Sequence, residues 1–233
     1  MNFISVLHQS MERSSAGSEE TALAVLDMCG DAAPKNTLFF GDDCATPRLI
    51  GKRYSCNLTA AYAEDFRAEA AARLGISCVP VRQFELPKLE GGYGLVWYNG
   101  TVEFDGIAQR ISQLRDVCGK NAVIVYRTLC WLTEPSPDTR VFCGRRFGVI
   151  QPLDAVLVTL KEQGCRISDF YISPKTDWTE HYYKPLMAAA KEYAGVHPQD
   201  SLVTAGMSEL KKEMDVFEMH CEEYSYVYYV MKG

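Results

Sequence analysis

The chain has 233 residues, which is enough for one full-sized domain with a sizeable buried core. Its 24 basic and 30 acidic residues leave a formal net charge of −6. This charge counts against a nucleic-acid-binding protein, because that class usually carries a basic excess. With 47% apolar and 23% charged residues, the composition is that of an ordinary globular protein and excludes a disordered chain.

The sequence predicts neither a membrane-spanning segment nor a secretory leader. No apolar run reaches the roughly 18 residues that a spanning helix needs, and the first residues lack the basic stretch of a signal peptide. The nine cysteines are scattered, and no two of them have CxxC spacing. We therefore expect reduced thiols, no metal site and a cytoplasmic location.

The first half of the chain alternates helical patterns with short β-rich runs, which is typical of an α/β sheet. Helices are predicted over residues 1–12 and 18–29, with Ser18 as the N-cap of the second. The segment 41–47, after the first strand, is expected to be a loop. The remaining elements predicted in this half are strands at 37–40, 55–59, 76–81, 93–98 and 122–126 and helices at 61–74 and 107–117.

The second half supplies two more strands and several helices. Residues 135–146 contain Pro135, Pro137 and Gly144, and they are expected to form a long loop. Helix 201–220 carries an apolar stripe, which predicts core packing or, as the alternative, a dimer-forming surface. The other elements predicted in this half are a helix at 152–163, a strand at 165–172, a helical stretch that opens at Asp177 and a last strand at 224–231.

These elements predict an α/β fold with a doubly wound, seven-stranded, mostly parallel sheet and helices on both faces. The last strand is expected to insert antiparallel. A single domain is predicted over residues 1–233. It would comprise N-terminal helices (1–33), a cofactor-side half (34–130) and a substrate-side half (131–233).

Ligands of doubly wound sheets bind at the carboxyl ends of the strands, so the segment 41–47 is the first place to look for a site. The chain contains neither GxGxxG nor GxxxxGK[ST]. Asp42, Asp43 and Pro47 are also unsuited to a pyrophosphate cradle, which needs free N–H groups and no added negative charge. This argues against NAD and ATP. A solvated loop end is the alternative for the two aspartates.

Four blocks of sequence occur in the order found in a known family. Residues 13–20 (RSSAGSEE) resemble R-x-G-P-G-S-x-E, and residues 93–97 (YGLVW) resemble a fourth-strand block. Residues 130–133 (CWLT) and 177–185 (DWTEHYYKP) resemble C/S-W-hydrophobic-T and W-T-[DE]-H-Y-x-x-P. Over nearly its whole length the chain thus resembles small-molecule class I S-adenosylmethionine-dependent methyltransferases. The resemblance implies a Rossmann-like methyltransferase fold with S-adenosylmethionine as cofactor.

The cofactor motif of this chain departs from the family pattern D/E-x-G-C-G-T-G. Gly41 stands for the acid, and Asp43, Ala45 and Pro47 replace the three glycines. In the family, the second strand ends in an acid that holds the ribose hydroxyls. The matching position in this chain is Leu58 or Thr59, neither of which is acidic, and Glu64 or Asp65 could substitute for that acid. The cofactor-binding residues implied by the resemblance are Gly41, Asp43, Cys44, Ala45, Thr46, Leu58, Thr59, Glu85, Tyr98 and Asn99.

The block at 177–185 also suggests residues that would bind the methyl acceptor. His181 is the candidate general base, with a surface histidine as the alternative. Trp178, Tyr182 and Trp131 are candidates for an apolar acceptor pocket, with core packing as the alternative. Arg145 and Arg146 would attract an anionic acceptor or else lie in a solvated loop.

Two functions follow from the sequence. The first is an S-adenosylmethionine-dependent methyltransferase that acts on a small molecule. The second is a catalytically inactive protein of the same fold that serves as a binding protein or a subunit, which the degenerate motif favours.

Overall fold

The computed structural model describes residues 3–30, 33–80, 91–100 and 106–232. A π-helical turn, Thr179–Tyr183, links helices α8 and α9. The helices are α1 (Phe3–His8), α2 (Glu19–Met28), α3 (Ala45–Tyr54), α4 (Asp65–Arg73), α5 (Ile107–Asp116), α6 (Pro137–Arg146), α7 (Leu153–Glu162), α8 (Lys175–Trp178), α9 (Lys184–Val196) and α10 (Ser201–His220). The strands are β1 (Asn36–Phe40), β2 (Asn57–Tyr62), β3 (Ser77–Pro80), β4 (Tyr93–Asn99), β5 (Cys118–Trp131), β6 (Gln151–Pro152), β7 (Arg166–Ile172) and β8 (Tyr224–Lys232).

The strands of the described residues form one sheet in the order β3-β2-β1-β4-β5-β8-β7, with the two-residue β6 beside the end of β5. Strands β1 to β6 pair in parallel, whereas β8 runs antiparallel to both β5 and β7. The predicted α/β fold and its antiparallel last strand are confirmed. The order reverses between β1 and β4, which makes their carboxyl ends the topological switch point.

Alternate residues of the central strands face two different core clusters, as the period of two requires. Leu38 and Val96 pack beneath α5 and α7, while their neighbours Phe39 and Trp97 pack beneath α2, α3 and α4. All four side chains are fully buried. Continuous apolar runs such as Leu38 to Phe40 therefore reflect a sheet that is covered on both faces.

A third apolar cluster forms a cap over the carboxyl end of β5, where Trp131 ends that strand and pairs with Tyr224 of β8. Helices α1, α6, α9 and α10 and the π-helical turn all contribute side chains to it. Leu210 and Phe217 from the stripe of α10 are buried here, which confirms the core-packing prediction for that stripe. The cap places α1 and the 175–220 helices above the edge of the sheet where ligands bind in such folds.

The predicted loop at 135–146 is wrong, because residues 137–146 form α6. Ser136 is the N-cap, and its hydroxyl accepts a hydrogen bond from the Thr139 amide at 3.4 Å. Pro137 occupies the first helical turn, where a missing N–H costs nothing and the fixed φ favours the helix. The proline was thus a helix start.

Helix α3 was also missed, since the predicted loop at 41–47 is shorter and the helix begins at Ala45. Pro47 lies in its first turn. The Asp43 carboxylate accepts a hydrogen bond from the Thr46 amide at 2.6 Å and so satisfies one of the free N–H groups of the helix start. No helix in the described part of the chain is long and apolar enough to cross a bilayer.

Candidate active site

Polar side chains converge at the carboxyl edge of the sheet around the switch point. Asp42 and Asp43 follow β1, Glu64 follows β2, and Asn99 ends β4. Strand β1 pairs with both β2 and β4, so these residues meet at one edge. This edge lies below α1 and the cap, and it is the candidate site.

The Asp43 carboxylate is buried, at 1% exposure, and does not project into solvent. One oxygen accepts from the Thr46 amide at 2.6 Å and lies 3.4 Å from the Arg13 guanidinium. The other accepts from the Asn99 amide at 3.1 Å. The solvated-loop alternative for Asp43 is therefore wrong: the aspartate neutralises Arg13 and holds α3 against β4.

Gly41 and Asn99 show how closely the loop approaches β4. A Cβ added at Gly41 would lie 2.5 Å from the Phe39 ring and 3.0 Å from Asn99 Cβ, so a side chain has no room there. Asn99 in turn accepts a hydrogen bond from the Trp97 indole at 2.7 Å. The predicted residue Tyr98 is buried and stacks between the rings of Phe40 and Tyr126 at 5.0 and 5.7 Å. Residues 44–46, also predicted, are buried where α3 begins.

Strand β2 ends later than the sequence predicted, which bears on the acid expected to hold the ribose hydroxyls. Leu58 and Thr59 lie inside the strand, where they pair with Thr37 and Leu38 of β1, so neither reaches the edge. The strand continues to Tyr62, and the first acid after it is Glu64, exposed at the N-cap of α4. The pKa of Glu64 is raised, mainly because neighbouring groups partly desolvate its carboxyl; Arg67 lowers this pKa, and Asp42 raises it. Glu64 is thus the first carboxylate after β2, two residues beyond the end of the strand.

Arg127 lies beneath the site as a buried cation on β5, at 2% exposure. Its guanidinium donates to the carbonyl oxygens of Gly100 and Ala16, both at 3.2 Å, and lies 3.5 Å from Asp42. It also stacks 4.3 Å above the Tyr226 ring. Arg127 therefore connects β4, β5 and the N-terminal segment, and it balances the charge of Asp42.

Residues 9–16, which we call the strap, run directly over the loop that follows β1. The Ser14 amide donates to the Asp42 carbonyl at 3.2 Å, and the Cys44 amide donates to the Glu12 carbonyl at 3.4 Å. Arg13 and Asp43 form an antiparallel bridge at the same place. The loop is thus covered by the strap.

The predicted acceptor residues Trp131, Trp178 and Tyr182 are brought together, but inside the cap core. They are 7%, 1% and 3% exposed, respectively. Trp178 stacks on Tyr226 and Phe217 at 5.1 and 4.8 Å and donates its indole N–H to Ser225. Packing of Trp178 against these two rings agrees with the core-packing alternative for this residue, and its role at an acceptor pocket stays a prediction.

The structure separates His181 from this edge, because it lies on the exposed side of the π-helical turn whose next residue, Tyr182, points inward. Arg146 is not in a loop either: it ends α6 and pairs with the buried Glu213 at 2.7 Å. Glu85, predicted at the adenine edge, lies outside the described residues. No group of three metal-ligating side chains occurs among residues 3–30, 33–80, 91–100 and 106–232.

His8 is a candidate functional residue that the sequence did not reveal. It ends α1, half-buried, and its Nε2 lies 3.3 Å from the Tyr182 hydroxyl. Burial lowers the pKa of His8 from 6.5 to about 4; Asp42 raises it, and Arg67 and Arg146 lower it further. His8 is therefore neutral near pH 7 and able to accept a hydrogen bond beside Asp42. No local motif surrounds it, because only the tertiary fold brings α1 to the π-helical turn.

We predict that His8 makes the protein sensitive to mild acid. Its folded-state pKa of about 4 lies below the ordinary 6.5, so the unfolded chain takes up the proton first as the pH falls. The free energy of unfolding should fall by about 2 kcal/mol between about pH 7.5 and about pH 4.5 because of this group, after solvent screening is allowed for. In His8→Gln this part of the pH dependence should disappear in urea-unfolding experiments.

The exposed His181 provides the matched control. His181→Gln should retain the full pH dependence of the wild type. Equal pH dependence of His8→Gln and the wild type would show that His8 titrates normally and is not desolvated.

No protein-family model and no curated protein sequence matches the chain. Solved structures do match. The chain is 11% identical to YjhP from E. coli over 98% of both chains, with a TM-score of 0.84. It is 13% identical to a SAM-dependent methyltransferase from Thiobacillus denitrificans, over 99% of this chain and 98% of that one, again with a TM-score of 0.84. For a SAM-dependent methyltransferase from Geobacter sulfurreducens, the identity is 14%, the coverage 99% and 98%, and the TM-score 0.80.

The Thiobacillus and Geobacter enzymes were crystallised in complex with S-adenosyl-L-homocysteine. At these identities the likeness concerns the path of the chain, and it extends over almost all of it. It agrees with the strand order and with the antiparallel β8. The chain therefore has the fold of the class I S-adenosylmethionine-dependent methyltransferases.

Proposed function

We propose that this chain is an S-adenosylmethionine-dependent methyltransferase that acts on a small molecule. The observation that carries the proposal is Glu64, a carboxylate two residues after β2 whose charge interacts with that of Asp42 in the close-packed loop after β1. Two acids on the rim, Asp42 and Glu64, suit a ligand that carries both a diol and a positive charge. Asp43 leaves no unpaired charge in the loop, because it is neutralised by Arg13.

These residues have distinct roles in the proposed reaction. Glu64 would hold the ribose hydroxyls, and its negative charge would favour the cationic cofactor electrostatically, whereas the charge of Asp42 is balanced by Arg127. S-adenosylmethionine supplies the electrophilic methyl group. The chain positions the reactants and excludes water by means of the strap and the cap. Neutral His8, beside Tyr182, is placed to accept a hydrogen bond from the small molecule that receives the methyl group.

We predict that Glu64→Gln binds S-adenosylhomocysteine about tenfold to a hundredfold more weakly than the wild type, because a charge-assisted bond to a hydroxyl is replaced by a neutral one. Isothermal titration calorimetry measures the change. Glu69→Gln is the control, since Glu69 is exposed on the same helix and should leave the affinity unchanged. Equal losses of affinity in the two variants would show that Glu64 does not contact the ligand.

The second candidate function is a binding protein or subunit of this fold without methyl transfer. The strap favours it, because its backbone bonds to Asp42 and Cys44 cover the loop that a cofactor would approach. The calorimetric titration separates the two functions. Failure of the wild type to bind either S-adenosylmethionine or S-adenosylhomocysteine at millimolar concentration would rule out the methyltransferase.

We also propose a cytoplasmic location. The nine cysteines are all free thiols, and several lie deep in the core. Burial raises the pKa of Cys29, Cys118 and Cys143 to about 12, which keeps these thiols protonated and unreactive. Such a set of thiols suits a reducing compartment.

A further inference from the structure

Arg67 is a buried cation that no carboxylate neutralises through a hydrogen bond among the described residues. It lies in the first turns of α4, at 2% exposure. Its guanidinium donates to the Met11 carbonyl at 2.5 Å, the His8 carbonyl at 3.1 Å and the Ser14 hydroxyl at 2.7 Å. All three acceptors belong to the strap or to the residue before it. Burying a guanidinium to hold only this segment is costly, which calls for a role beyond general packing.

The strap is anchored at its end, where Ala16 is fully buried and its carbonyl accepts a hydrogen bond from Arg127, whereas the contacts of residues 12–14 with the loop after β1 are longer than usual. The Ser14 and Cys44 backbone bonds are 3.2 and 3.4 Å long, and the Arg13 ion pair with Asp43 is 3.4 Å long. The strap has no regular secondary structure apart from the bridge at Arg13. A short segment without regular secondary structure is the kind of element that opens locally while the rest of a protein stays folded.

We propose that the strap opens and closes the candidate site and that Arg67 is the positioning residue that holds it closed. We call these two roles the door and the latch. When the three Arg67 bonds break, the strap leaves the loop after β1, and the Asp42 carbonyl and Cys44 amide become free. His8 then also leaves Tyr182, because its carbonyl is one of the three acceptors. Ligand would enter and leave through this opening. The door role rests on the proposed function, whereas the latch itself does not.

Trypsin tests the latch without a ligand, because Arg13 lies in the strap and its side chain is only 11% exposed. Cleavage after Arg13, detected by mass spectrometry as a new N-terminal Ser14, requires the strap to open. Arg67→Gln should cleave there at least tenfold faster than the wild type, with little dependence on urea, since local opening exposes little surface. Arg67→Lys keeps the charge and should restore part of the protection.

Arg73→Gln is the matched control, since Arg73 is exposed at the end of the same helix. It should cleave at the wild-type rate. Ser14→Ala, which removes one of the three Arg67 bonds, provides a milder variant should Arg67→Gln fold poorly, and it should cleave several-fold faster. The latch is overturned if the rate of cleavage after Arg13 is unchanged in Arg67→Gln and Ser14→Ala. It is also overturned if that rate rises only in parallel with the rates at all other trypsin sites.

S-adenosylhomocysteine then tests the door. Its dissociation rate, followed by stopped-flow displacement, should rise at least tenfold in Arg67→Gln and stay unchanged in Arg73→Gln. An unchanged rate in Arg67→Gln overturns the door role. If S-adenosylhomocysteine does not bind the wild type at all, the proposed function and the door fall together, and the trypsin result still decides whether Arg67 latches the strap.

Discussion

Replacing Asp43 by alanine should lower the free energy of unfolding by about 3–5 kcal/mol, because removal of one partner leaves a buried charge uncompensated. Arg13 would lose its carboxylate 3.4 Å away, and the Thr46 and Asn99 amides would lose their acceptor. The loss should appear in urea unfolding at neutral pH as a lower midpoint with an unchanged slope.

A surface ion pair provides the comparison for Asp43. Asp27 pairs with Arg53 at 2.6 Å, but its side chain is 68% exposed, so Asp27→Asn should cost less than about 1 kcal/mol. Asp43→Asn retains one acceptor oxygen, so its loss of unfolding free energy should lie between those of Asp43→Ala and Asp27→Asn. A loss below about 1 kcal/mol for Asp43→Ala would show that its carboxylate is solvated, as in the solvated-loop alternative.

Asp43 also bears on cofactor binding. If it obstructed the site, Asp43→Gly together with Pro47→Gly should improve the affinity for S-adenosylmethionine. The structure predicts no gain, because the carboxylate of Asp43 is buried against the protein and Pro47 belongs to the first turn of α3. The double variant should lose stability by both routes: the buried pair is broken, and glycine at the helix start has greater freedom in the unfolded chain.

The fold was predictable because its signals are local and repeated. Continuous apolar runs such as 122–126 predict strands buried on both faces, and the helical stripes between them predict crossovers. The two missed helices have a common cause. Both α3 and α6 carry a proline in the first turn, which reads as a loop when the N-cap before it is not recognised.

The site was less predictable because it depends on register and on distant partners. A shift of the second strand from 55–59 to residues 57–62 moves the strand end from Thr59 to Tyr62 and so brings Glu64 to the edge. Asp43 meets Asn99 across 56 positions, and His8 meets Tyr182 across 174. No local pattern encodes such pairs, so their burial and neutralisation emerge only from the three-dimensional packing.

Trp178→Ala should cost about 3–5 kcal/mol of unfolding free energy, as large-to-small changes of buried aromatic residues do. The indole is 1% exposed and lies between the rings of Tyr226 and Phe217, at interplanar angles of 8° and 24°. Its N–H also donates to the Ser225 hydroxyl at 3.1 Å, which would lose its donor. Thermal and urea unfolding measure the loss, and Trp178→Phe should recover part of it.

His181→Ala separates the packing role of this segment from a catalytic one. His181 is three positions from Trp178 but exposed, so its removal should change stability by less than about 0.5 kcal/mol. Its side chain faces solvent and takes no part in the His8–Tyr182 contact, so methyl transfer should also survive. The reverse pattern, in which Trp178→Ala folds normally and His181→Ala abolishes transfer, would return both residues to an acceptor pocket and would require the cap to rearrange around the substrate.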